Sequence, residues 1–170
     1  MTNNVVNDYE ISKNTMALIP AFQFDCETIV IERDRRIHVK KTPLELVKAA
    51  CLDGGSTYDG RRLAVIHQTG ASKKTPIPIN PLQDIYAFPT HSPLVHQCNW
   101  IFYHHVGSID HDTSTPGKSI ITFKKSTQTL LLDTSEFTLN KQMHRTSYCI
   151  VLFSGRHTIS RPQWDNDLYG

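Results

Sequence analysis

The sequence predicts an α+β fold: a β-rich single domain of antiparallel hairpins with one short capped helix and a C-terminal helix. Three observations carry that expectation. Short β-branched and aromatic runs recur along the chain, separated by turn residues. One segment, TPLE at residues 42–45, has two independent signals of a helix start. A chain of 170 residues that is 39% hydrophobic and 20% charged fits one domain with a substantial core. No apolar run approaches the roughly 20 residues of a membrane helix. The start, MTNNVVNDYE, lacks the basic and apolar regions of a secretory signal, so a cytoplasmic protein is expected. The expected organisation is a disordered stretch over residues 1–8, a domain over 9–155 and a loose tail over 156–170.

Taken in order, residues 9–20 read as an entry strand around Met16, Ala17, Leu18 and Ile19, ended by Pro20. Residues 28–32 (TIVIE), a turn at Arg33-Asp34-Arg35, and residues 36–40 (RIHVK) read as a hairpin. In its second strand Ile37 and Val39 share one face and Arg36, His38 and Lys40 the other. Thr42 then caps a helix, with Glu45 placed to reach back and Pro43 at the first position, where no N–H is needed. Leu44, Val47, Ala50 and Cys51 form its inward face and Gly54 its stop. Residues 54–62, GGSTYDGRR, read as a glycine-rich loop, and residues 62–67 (RLAVIH) as the strand leaving it. The prolines of PIPINP confine residues 76–81 to a sheet edge or a connector. Residues 84–88 and the aromatic stretch 98–106 read as strands, and residues 118–123 and 127–132 as a second hairpin with a basic turn at Lys124-Lys125. Residues 135–153 read as a helix with Met143, Ser147, Ile150 and Val151 on one face, although YCIVLF fits a strand as well.

Cys26, Cys51, Cys98 and Cys149 are far apart, each beside apolar residues, as reduced core cysteines are. Six metal-capable side chains crowd residues 91–111, but strand alternation sends His104 and His105 to opposite faces. A core His104 and a surface His105 are the simpler expectation, and no metal or other cofactor is expected. No hydrolase elbow, zinc-protease helix, phosphate loop or dinucleotide fingerprint occurs, so the chain is not expected to be an enzyme.

The net charge of +2 hides a strong asymmetry. Residues 1–32 carry −4, residues 33–75 carry +6, residues 76–115 carry −3 and residues 116–170 carry +3. The basic third contains the glycine-rich loop, and local cation density beside glycine and hydroxyl groups suits phosphate. The candidate DNA-binding residues are Arg33, Arg35, Arg36, Lys40 and Lys41 on the hairpin, Ser56, Tyr58, Arg61 and Arg62 in the loop, and Lys73 and Lys74 beyond it. They are expected to converge on one surface that straddles a duplex, with lysines at phosphates and arginines in a narrow minor groove. The alternative is an interaction module whose basic face meets an acidic protein.

Over residues 9–153 the segments IVIERDRRIHV, TPLELV, GGSTYDGR, KTPIPINP, IYAFPT, QCNWIFYHHV and QMHRTSYCIV together resemble the ComK-type competence transcription factors. The resemblance implies a bacterial, nucleoid-associated activator of DNA-uptake genes. It would bind double-stranded DNA at paired A/T-rich boxes, largely through the minor groove, as a homodimer or tetramer. It also implies control by the MecA adaptor, which delivers such proteins to the ClpC protease through an aromatic, proline-containing tail. Here WDNDLYG matches that tail poorly and the sequence stops at Gly170, so adaptor control is not carried over, and a shortened, non-activating variant is an alternative.

Overall fold

The computed structural model describes residues 4–155; the expected tail at 156–170 lies outside them. The elements in chain order are β1 (Val5–Val6), β2 (Ala17–Gln23), β3 (Cys26–Glu32), β4 (Arg35–Val39), α1 (Pro43–Asp53), α2 (Tyr58–Thr69), β5 (Ile77–Asn80) and β6 (Ile85–Pro89). After them come β7 (Trp100–Phe102), β8 (Val106–His111), β9 (Ser119–Phe123), β10 (Thr129–Leu132) and α3 (Glu136–Phe153), with 3₁₀ turns at Pro81–Gln83 and Tyr103–His105. The fold is α+β and β-rich.

A seven-stranded sheet, ordered β1-β4-β3-β2-β7-β6-β5, forms the middle layer, and a three-stranded sheet, β10-β9-β8, packs with α3 on one side of it. Alternation sorts the core. Leu18, Val30, Val39, Trp100 and Phe102 face α1 and α2, with Leu46, Val47, Cys51 and Val65 packed inward. Ala17, Ile31, Phe88 and Ile101 face the other way, onto Ile121, Phe123, Leu132 and Leu139. Burial on both faces is why the central strands read as continuous apolar runs rather than as alternating ones.

The β3–β4 and β9–β10 hairpins form as the sequence predicts. The capping box is also present: Glu45 N–H donates to Thr42 Oγ1 and Thr42 N–H donates to Glu45 Oε2, each at 3.2 Å. IPIN, Ile77–Asn80, is β5, the sheet edge. Residues 135–153 resolve to the helical alternative, capped by Ser135 Oγ accepting from the Thr138 N–H. Its buried face is Leu139, Gln142, Thr146 and Cys149, rotated from the expected one.

The chief correction is α2. The expected strand over residues 62–67 and the second half of the loop before it are one helix from Tyr58 to Thr69. Thr57 Oγ1 accepts from the Gly60 N–H at 2.9 Å, and Gly70, at φ 75°, supplies the left-handed stop. Only Tyr58 and Val65 are fully buried along it, so the apolar run LAVI is a half-exposed helix face. Gly54 is a glycine for a different reason than expected: a Cβ there would lie 2.5 Å from Ile79 O, and Gly55 carries the positive φ of 94°.

Smaller differences follow from local geometry. Pro20 lies inside β2, paired with Thr28, but beyond the last β2–β7 pair, where its missing N–H breaks no ladder on that side. Val5–Val6 pair with His38–Val39, so order begins before residue 9. The 3₁₀ turn at 103–105 interrupts the expected 98–106 strand and resets its alternation: His104 is exposed, while His105 is half-buried with Nε2 2.6 Å from Lys13 O. The four cysteines are buried and unpaired, and burial pushes the thiols of Cys51, Cys98 and Cys149 up to about 11.

Candidate nucleic-acid interface

Strand register decides which candidate residues can meet. Glu32 pairs with Arg35 at one end of the β3–β4 ladder and Thr28 with Val39 at the other. Arg33, Arg35 and Arg36 therefore sit at one end of the central sheet, and Lys40 and Lys41 at the opposite end. Arg35 and Lys40 are about 16 Å apart along the strand, at roughly 3.3 Å per residue. The cations of residues 33–74 do not converge on one surface; they divide between two.

The first end joins the two hairpin tips. Ser126 Oγ and Gln128 Nε2 donate to Arg33 O at 3.2 and 3.0 Å, and Arg36 Nε donates to Gln128 Oε1 at 3.2 Å. Arg33, Arg35, Lys124, Lys125 and His105 line a cavity of about 650 Å³ there, together with the carboxylates of Glu32 and Asp34. Arg35 is already engaged, its Nε donating to Glu32 Oε2 at 2.9 Å.

At the other end, Pro89 pairs with Trp100 and Leu18 with Trp100, so the 90–99 connection emerges beside the β2–β3 turn. The antiparallel β5–β6 pairing puts residues 71–76 at the same end. These loops close, with α1 and α2, a groove of about 610 Å³ lined by Lys48, Tyr58, Arg62, Lys73 and Lys74, with Asp59 its lone carboxylate. Ser72, Thr75 and Ser92 add hydroxyls. Burial pushes the Tyr58 phenol up to about 12, against the opposing pull of Arg62, so it stays a neutral hydrogen-bonding group at the groove wall. The first turn of α2 faces the groove and adds the positive end of a helix dipole. Across Lys73 the basic surface continues to Lys141, His144 and Arg145, which border a second depression of about 580 Å³.

The lysine loop is held rigidly. Thr75 Oγ1 donates to Ala71 O at 2.7 Å, and Lys74 adopts φ 49°. From α3, Gln142 Nε2 donates to Lys74 O at 2.8 Å and to Pro89 O at 2.7 Å, tying both loops of the groove to one buried amide. Arg145 Nη2 donates to Lys73 O at 2.8 Å and Nη1 to Gln142 Oε1 at 2.7 Å; partial burial lowers its pKa.

Of the sequence candidates, Tyr58, Arg62, Lys73 and Lys74 meet in the groove. Lys40 is exposed at the same end, and Lys41 lies 3.2 Å from Asp8 Oδ1. Ser56 belongs to the α1–α2 turn, its N–H donating to Cys51 O. Arg61 points elsewhere than Arg62: its Nη2 donates to Gly54 O at 2.7 Å, strapping α2 to the end of α1, and its Nε is buried with no hydrogen-bond partner among the described residues. Lys48, Gln142 and Arg145 escaped sequence reasoning. Gln142 left a readable sign, an amide within the apolar stripe of Leu139, Thr146 and Cys149, since a buried amide must find partners.

Residues 6–158 match the family described as ComK protein. The chain is 30% identical over 167 residues to a competence transcription factor from Bacillus subtilis (strain 168), covering 95% of this chain and 84% of that protein. No solved structure matches it significantly. The match runs through the sheet, the groove and all of α3, and on that evidence the chain belongs to the ComK family.

Proposed function

We propose that this protein is a transcription regulator that binds double-stranded DNA with the end of its central sheet where α1, α2 and the 71–76 and 90–99 loops meet. The observation that carries this is the set of four cations, Lys48, Arg62, Lys73 and Lys74, around a single groove with one opposing carboxylate. Such a density of cations on two helices and a braced loop releases counterions from a phosphate backbone, the main source of affinity for a duplex. Arg62, on a helix rather than a mobile loop, suits insertion into a narrowed A/T-rich minor groove, where width and negative potential are read. The competence regulator it resembles supports placing it among activators of DNA-uptake genes. Dimers or tetramers on paired boxes and a cytoplasmic, nucleoid-associated location belong to the same reading.

Gel-shift titration of the full chain against A/T-tract duplexes of varied half-site spacing tests it. Poly(dA·dT) is expected to compete better than poly(dG·dC), with a spacing optimum near whole helical turns. Equal competition by the two polymers contradicts minor-groove A/T reading, and no retention on any duplex contradicts DNA binding. The second basic end, around Arg33, Arg36, Lys124 and Lys125, favours a separate role in meeting an acidic protein surface.

A further inference from the structure

Large apolar side chains stand exposed at the end of the central sheet that holds the groove. Leu94 is 89% exposed, Phe22 75% and Phe24 wholly so, with Val95 partly exposed beside them. All four project from the same end of the central sheet, from the β2–β3 turn and the 90–99 connection, and Leu94 with Pro93 lines the groove together with Lys48, Arg62, Lys73 and Lys74. A single exposed leucine is ordinary; a cluster of apolar groups bordering a cation-lined groove is not.

The connection that presents Leu94 is built, not slack. Thr90 N–H donates to Asn99 O at 2.9 Å, and Asn99 N–H donates back to Thr90 Oγ1 at 3.0 Å, closing the base of the loop. Asn99 Nδ2 donates to the same hydroxyl, and Cys98 Sγ to His91 O. Near the tip, Val95 N–H donates to Ser92 O at 3.0 Å and Leu94 N–H to Ser92 Oγ at 3.4 Å. On the flank the Phe22 ring meets His96 edge-on at 4.8 Å, joining the β2–β3 turn to the loop. The result is a firm loop whose tip is proline and leucine, with the Phe22 ring against its His96 and cations lining the groove beside it. Its occupant must be anionic at the rim and apolar a few ångströms inside. A duplex has that profile, with phosphates outside and stacked bases within.

We propose that Pro93-Leu94 is a wedge that enters the minor groove and parts a base-pair step, bending the duplex toward the major groove. Apolar wedges on minor-groove proteins act this way, and flexible pyrimidine–purine steps such as TA yield most easily. The lysines and Arg62 hold the backbones on either side, so that binding and bending come from separate sets of residues. The inference rests on the DNA-binding reading above and adds to it the residue that deforms the site.

The test uses the full chain and an A/T-rich duplex with 2-aminopurine at a TA step and a fluorophore at each end. Wild-type protein is expected to raise the 2-aminopurine emission and shorten the end-to-end distance. Leu94→Ala should lose both signals and bind about tenfold more weakly, the scale of one well-packed contact, with its salt slope unchanged. Leu94→Met should restore them. Because the side chain is exposed, neither change threatens the fold. Failure of wild-type protein to bind any duplex would remove the DNA reading itself. Binding without bending, or bending by Leu94→Ala equal to wild type, would overturn the wedge alone and turn the apolar rim over to a protein partner.

Discussion

Arg61 and Arg62 are adjacent, and charge alone treats them as equals. Truncating each separately should produce opposite phenotypes. Arg61 Nη2 makes a 2.7 Å hydrogen bond to Gly54 O, and a bond from a charged donor is worth about 1.5–3 kcal/mol. Its Nε, buried without a partner, offsets part of that, since stranding a buried donor costs about 1–3 kcal/mol. The net loss expected for Arg61→Ala is about 1 kcal/mol, a fall in Tm of about 2–4 °C for a domain of this size. Its DNA affinity should keep the wild-type salt slope. Arg62→Ala, which removes a groove cation, should leave stability within about 0.5 kcal/mol. It should also flatten the slope of log K against log salt by about 0.9, the value of one phosphate contact. Thermal melts and fluorescence-anisotropy titrations at several salt concentrations measure the two quantities on the same samples. A flattened slope in Arg61→Ala with none in Arg62→Ala refutes the assignment of strap and contact.

Other consequences are as direct. Gln142→Ala strands the carbonyls of Lys74 and Pro89 and leaves a cavity, so it should cost about 2–4 kcal/mol in urea melts and loosen both loops of the groove. Gly54→Ala places a Cβ 2.5 Å from a backbone oxygen and should cost about 1–3 kcal/mol, whereas Gly70→Ala, in open space, pays only the strain of φ 75° and should cost less. Alkaline pH should destabilise the fold. The buried thiols of Cys51, Cys98 and Cys149 hold their protons to about 11, while in the unfolded chain they ionise near 9. The unfolded state therefore binds fewer protons between those values, and stability falls as pH rises through that window. A Tm that stays level from pH 8 to 11 would contradict the burial of these groups.

Much of the architecture was legible because the signals were local. The Thr42 capping box, the paired β-branched runs and the proline-laden edge strand each fix their own conformation, and each occupies its expected place. The helix α2 was hidden because LAVI reads as a strand by composition. Its true marks were the Thr57 cap before it and Gly70 after it, which the glycine-rich stretch between them obscured. The phase of α3 was also out of reach. The buried face is set by the sheet beneath it and by the carbonyls that Gln142 meets, which are 53 and 68 residues away in sequence. For the candidate interface, the cationic residues are legible in the sequence but their grouping is not. Hairpin cations five residues apart look adjacent in sequence, but an extended strand carries them to opposite ends of the sheet. Lys48 joined the groove only because α1 happens to border it, a fact of packing that no local pattern records.

On this reading one end of the sheet, and not the other, engages DNA. Anisotropy titrations over a salt series, with one A/T-tract duplex, should compare two matched fourfold variants. Lys48→Ala, Arg62→Ala, Lys73→Ala and Lys74→Ala combined should flatten the salt slope by about 3.6, at about 0.9 per lost contact. Arg33→Ala, Arg36→Ala, Lys124→Ala and Lys125→Ala combined should leave it at the wild-type value. The reverse pattern would contradict the assignment of the groove as the DNA-binding surface.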